Sequence, residues 1–236
     1  MQMDDERIRY AVLTTEILRP PEQNLYTFGT TNITYYLVTQ PAYSDAEEEP
    51  VETVVREGKV VAERPKIVTP FYMSHLDGFG EEARRYFDFL AAEYGANSPG
   101  VLYTYKNEPK DTNIVSEKMR TVVEKINAQI DERGDKLAAI IRGQDVLWDV
   151  SVLKFIFELT RRSLGGNVSQ FERRGLLNVD SSGVPGDARM RIEESFRKVA
   201  RGEMEPRDLK DELDRWQLFH EYEDRFLTVF KNRRGT

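Results

Sequence analysis

Ser74-His75-Leu76-Asp77-Gly78-Phe79 divides the chain into two hydrophobic rhythms. Before it, apolar residues alternate or gather in short β-branched and aromatic bursts, as in Ile33 to Thr39, Thr53 to Val55 and Val60 to Ala62. After it, they recur every three or four residues almost to the C-terminus. A strand shows one face at every second residue and a helix at about every 3.6, so the break predicts a β region followed by a helical one. The expected fold class is α+β: an N-terminal antiparallel β region with a hairpin over residues 1–78, followed by a larger helical region over 79–236.

Within the first part, Ile8 to Leu18, Leu25 to Phe28 and Asn32 to Thr39 read as strands, punctuated by Pro20-Pro21, Gly29 and Pro41. The third has two apolar faces, so it is either covered on both sides or offered to a partner. Residues 44–52 form an acidic loop with little to bury. Glu52 to Arg56 and Lys59 to Glu63 flank Glu57-Gly58, which predicts a hairpin whose turn uses the conformational freedom of Gly58. Pro65 limits Lys66 to Thr69 to an edge position.

In the second part, Phe79 to Tyr94 is an amphipathic helix stopped by Gly95, and Asn113 to Glu132 a longer one with Val115, Met119, Val122, Ile126 and Ile130 inward. Asp145 to Leu164 is apolar nearly all round, the pattern of a helix buried at the centre. Residues 165–186 hold five glycines, so regular structure is sparse there. Asp187 to Ala200 is a helix, and Pro206 opens a last one reaching about Lys231, roughly 40 Å long.

Composition narrows the function. The 236 residues suit one large domain or two small ones. A formal charge of −7 disfavours a general binder of nucleic acid or anionic membrane, although residues 151–200 carry 9 basic and 6 acidic side chains. There is no cysteine, which excludes disulfides, thiolate nucleophiles and thiolate metal sites. Met1 to Arg9 lacks the apolar core of a signal peptide, and Val146 to Leu159 is too short to span a bilayer, so a cytoplasmic location is expected.

Few residues suggest chemistry. His75 and Asp77 could orient one another or share a metal, but they also suit a chain reversal with a helix-capping carboxylate. His220 has neither a Glu three residues before it nor a His four residues after it, so di-iron and zinc signatures fail and a semi-buried structural histidine is expected. Phosphate-loop, dinucleotide and nucleophile-elbow signatures are missing. Asp180-Ser181-Ser182-Gly183 begins like a calcium loop, but Pro185 and Arg191 stand where its glycine and closing glutamate belong.

Thr160-Arg161-Arg162-Ser163-Leu164-Gly165-Gly166, then Asn167 to Arg174, then Gly175 to Gly183, runs helix, glycine turn, short helix, turn. Over 151–183 this order resembles a winged helix-turn-helix. The resemblance implies a recognition helix capped by Asn167 or Ser169, with Arg161, Arg162, Arg173 and Arg174 on phosphates. It departs from that family at Val184-Pro185-Gly186, which leaves no returning wing strand.

The expectation is therefore a non-catalytic interaction or assembly module, with no metal or cofactor, whose partner is another protein or a second copy bound through the β region. Nucleic-acid binding through 161–174 and an enzyme built on carboxylates and His75 are the alternatives.

Overall fold

The computed structural model describes residues 2–42 and 51–234, so residues 44–50 of the acidic loop lie outside the described residues. In chain order the elements are α1 (Gln2–Thr14), β1 (Glu16–Arg19), β2 (Thr31–Thr39), β3 (Thr53–Ala62), β4 (Lys66–Val68), α2 (Pro70–Ser74), α3 (Glu81–Tyr94), β5 (Gly100–Leu102), β6 (Tyr105–Val115), α4 (Met119–Arg133), β7 (Ala138–Arg142), α5 (Trp148–Arg173), α6 (Gly186–Ala200), α7 (Pro206–Arg215) and α8 (Phe219–Arg234). The fold is α+β. Its contacts fall into two compact units, each drawn from two stretches of chain: Met1–Arg64 with Tyr103–Asn167, and Pro65–Leu102 with Val168–Thr236.

The first unit holds a five-stranded sheet in the order β1-β7-β2-β3-β6. It is mixed rather than antiparallel, because β2 and β7 run parallel. The two apolar faces of β2 are both covered within the unit. Ile33, Tyr35 and Leu37 pack with Val152, Phe155, Ile156 and Leu159 of α5, while Tyr36 and Val38 pack with Val122, Ile126 and Ile130 of α4. Leu137 to Ile141 supplies β7, buried on both faces, as a short apolar run between turns allows. The predicted helix from Asn113 begins only at Met119, since Asn113 to Val115 complete β6.

Three expectations for this unit are corrected. Ile8 to Leu18 is not a strand: α1 runs to Thr14 and β1 starts at Glu16. Among the described side chains of α1 only Ala11 is fully buried, so no apolar stripe announces the helix; it is held by Thr15 on Ser151 Oγ (2.7 Å) and by Lys154 Nζ on the carbonyls of Val12 (3.0 Å) and Thr15 (2.8 Å). Leu25 to Phe28 is irregular, its backbone bonded to Ser163 and Asn167 side chains. There is also no hairpin turn at Gly58. β3 passes straight through it, paired with β2 on one side and β6 on the other. Glycine is required because Tyr35 lies across the position: an added Cβ would sit 2.7 Å from Tyr35 Cε1 and closer still to Cζ and Oη.

The second unit packs Val68, Tyr72, Ala188, Ile192, Phe196, Val199, Leu209, Leu213, Trp216 and Leu218 into one core, with β4 and β5 paired beside it. The single C-terminal helix expected after Pro206 is two helices. Gln217 adopts a left-handed conformation (φ 54°), and the Leu218 N–H returns to the Leu213 carbonyl (2.8 Å), so that Leu213, Trp216 and Leu218 all enter the core. Helix α3 forms as predicted, but none of its residues is buried.

Two phenols report on these cores. Burial, then the neighbouring Glu212 carboxylate, pushes Tyr72 up to about 12, and burial with Tyr105 does the same to Tyr103. A tyrosine raised in the folded state stabilises the fold below the unfolded value near 10, and that contribution is lost as pH rises towards 12. Titration followed by phenolate absorbance should show a late step near pH 12, accompanied by unfolding and diminished by Tyr72→Phe or Tyr103→Phe. A titration complete by about pH 10.5 would contradict this.

Candidate functional site

His75 and Asp77 close a turn after α2. The His75 Nδ1–H donates to the Phe71 carbonyl (2.8 Å), leaving Nε2 to accept from the Gln217 amide (2.8 Å). Asp77 accepts from Arg215 (3.1 Å). Both side chains thus tie this turn to the α7–α8 junction, some 140 residues away, in a structural arrangement. Among the described residues no three His, Asp or Glu side chains converge closely enough to hold a metal ion. His220, expected to be semi-buried, has a 98% exposed side chain that stands 3.7 Å from Glu223.

The winged-helix segment is corrected as well. Gly165-Gly166 is not a turn, and α5 continues unbroken to Arg173. Asn167, the expected cap, is buried instead: its amide donates to Leu25 O (2.9 Å) and Thr27 Oγ1 (2.6 Å), and its carbonyl accepts from Tyr103 (2.8 Å). Arg162 clamps the loop before it, donating to Asn24 Oδ1 (2.9 Å), Pro21 O (2.8 Å) and Gln23 O (3.2 Å). Arg173 donates to Ser169 O (3.3 Å), Arg174 follows the end of the helix, and Arg161 is exposed on its surface. Leu176 to Val179 contributes only an isolated bridge from Val179 to Pro185.

A polar crevice of the first unit lies at the carboxyl ends of the parallel strands β2 and β7. It encloses about 290 Å³, lined by Thr14, Gln40, Met119, Arg142, Gly143, Gln144 and Asp145. Its charges satisfy one another. Arg56 donates to Asp145 Oδ1 (2.6 Å) and Thr39 Oγ1 (3.2 Å), Thr39 donates to Asp145 (2.9 Å), and Arg142 pairs with Glu16. Such an arrangement fixes the β7–α5 connection and leaves those carboxylates already engaged.

What stands out is apolar. Helix α5 is apolar on all sides, as its sequence indicates, but it is not buried at the centre. Val152, Phe155, Ile156 and Leu159 enter the core, whereas Leu153 (65% exposed), Phe157 (66%) and Leu164 face outward. With Val146 just before the helix, these outward residues are spaced 7, 4 and 7 apart, which returns to one side of a helix. Helix α1 also exposes Tyr10, Val12 and Leu13 (72%), which point to different sides of it. Tyr10 and Val146 line a hollow of about 440 Å³ with Glu6, Arg7, Gln144 and Leu147, so Tyr10 continues the outward stripe onto α1. Periodicity could not have found this face, because core-facing and outward residues are equally apolar.

No protein family, curated protein or solved structure matches the chain.

Proposed function

We propose that the protein is a non-catalytic assembly module that self-associates through the apolar face of α1 and α5. The observation that carries this reading is the outward stripe Val146, Leu153, Phe157 and Leu164, with Tyr10 of α1 beside Val146. At about 100 Å² each, these five side chains expose on the order of 500 Å² per copy, more than half of the roughly 800 Å² that each side of a standard interface buries. That lies in the upper part of the 300–600 Å² or so of the largest apolar patch on a typical monomer, a patch that is often functional.

The strands themselves are a poorer route than their composition suggests. The edge strand β6 carries Lys106, Glu108, Pro109, Lys110 and Asp111, with a register shift against β3 at Glu57/Gly58. The opposite edge, β1, is four residues long and followed by Pro20-Pro21. Charges, proline, irregular register and short length are the devices by which edges refuse another strand.

Sedimentation velocity should show a dimer that dissociates on dilution. Leu153→Glu with Phe157→Glu should leave a monomer with the thermal midpoint little changed, because both side chains are already in solvent within one copy. A wild-type chain that is monomeric at every concentration, or a doubly substituted one that still dimerises, would end this reading.

A further inference from the structure

Gly165 sits deep inside α5, where nothing in its own chain asks for glycine. Its φ is not positive, and a Cβ added there meets no heavy atom within 4 Å. Glycine is also among the poorest residues for a helix interior. The position has one distinguishing feature, which is that it continues the outward face. Leu153, Phe157, Arg161 and Gly165 follow one another at four-residue spacing, and such a row forms a ridge on the helix surface. Its neighbour Gly166 also meets nothing within 4 Å, but it lies on a different row, after Lys154, Glu158 and Arg162.

When the four-residue ridges of two helices interdigitate, the ridges align with each other at the contact. A two-fold axis across that contact sets each ridge against its own copy in reverse order. Centred between Phe157 and Arg161, the reversed ridge is complementary to itself: the largest aliphatic side chain meets the residue with none, and the aromatic ring meets a guanidinium. Resting on the self-association reading above, we infer that α5 crosses α5 of a second copy in an antiparallel sense, with Leu153 seated over Gly165 of that copy and Phe157 against its Arg161. Glycine permits the backbones to approach there, and the ring–guanidinium contact gives Arg161 a role that a solvent-exposed cation lacks.

Two measurements test this. Gly165→Ala and Gly166→Ala should each raise the thermal midpoint by about 2–4 °C. Only Gly165→Ala should weaken the dimer, by at least tenfold in sedimentation equilibrium. Because the chain has no cysteine, single-cysteine variants give a clean second readout. Mixing Leu153→Cys with Gly165→Cys protein under mild oxidation should give a covalent heterodimer, whereas neither variant alone should cross-link. In the antiparallel arrangement equivalent residues stand about 18 Å apart along the helix, beyond the reach of a disulfide. A dimer unaffected by Gly165→Ala, or one in which Leu153→Cys cross-links to itself, would overturn the pairing while leaving self-association intact. A monomeric wild type would remove both.

Discussion

Gly58→Ala is expected to destabilise the first unit by about 3 kcal/mol, the upper end of what overpacking costs. Tyr35 pairs directly with Gly58 across β2 and β3, and its ring lies over the glycine with no solvent exposure. It cannot swing away. Ile33, Leu37, Val60 and Phe155 share its cluster, and its hydroxyl reaches past β3 to donate to Asn107 Oδ1 (3.1 Å) on β6. Replacing the ring should therefore rescue the alanine: in a Tyr35→Leu background the added penalty of Gly58→Ala should fall below about 1 kcal/mol, a strong coupling between contacting residues. Urea midpoints of the four proteins measure this. A Gly58→Ala chain within about 0.5 kcal/mol of wild type, the range of ordinary surface changes, would show that the strand yields there.

The same glycine shows where sequence reasoning succeeds and where it stops. β2 is legible because nine residues with apolar side chains on both faces have few other uses. The sequence pattern splits β3 in two because a glycine between β-rich runs is ordinarily a turn, and the ring that requires it comes from another strand. Helix α1 is invisible to periodicity, since it is held by a lysine and a threonine rather than by a buried stripe. The junction at Gln217 is hidden for the opposite reason: the apolar spacing runs on unbroken, and the reversal uses a residue that does not advertise a left-handed conformation. For α5, composition gives the helix and its all-round apolarity but not which side is covered, because that depends on how many neighbours the fold supplies. His75 and Asp77 were legible as a chain reversal. Their partners Arg215 and Gln217 were not, because only folding brings them together.

Arg191→Ala should produce the largest loss in the molecule, about 3–5 kcal/mol, as expected when one member of a buried ion network is removed. Arg191 donates from Nε to Asp187 Oδ2 (3.1 Å) and from a terminal nitrogen to Glu212 Oε1 (2.8 Å). Asp187 is fully buried and also accepts the Ile67 N–H (3.0 Å), while Glu212 accepts from Tyr72 (2.9 Å) and Trp216 (3.3 Å). Arg191 thus bridges two carboxylates that anchor β4, α2, α6 and α7 of the second unit, and Arg215 adds a more distant charge to Glu212 (3.9 Å). Burial alone would raise the Glu212 carboxyl, but the Arg191 charge and the bonds from Tyr72 and Arg191 outweigh it and hold the group below the usual carboxylate value. A depressed carboxylate stabilises the fold above its unfolded value and loses that contribution as pH falls through the folded one. Without Arg191, burial is opposed only by the Tyr72 bond and the more distant charges of Arg215 and Lys66, so acid should relieve the variant while it weakens the wild type. Urea midpoints of the two proteins should therefore lie far apart at neutral pH and converge towards about pH 4, near the unfolded carboxylate value. A gap that stays constant across that range would assign the loss to packing of the arginine stem, and one below about 1 kcal/mol at neutral pH would mean that the two carboxylates find other company.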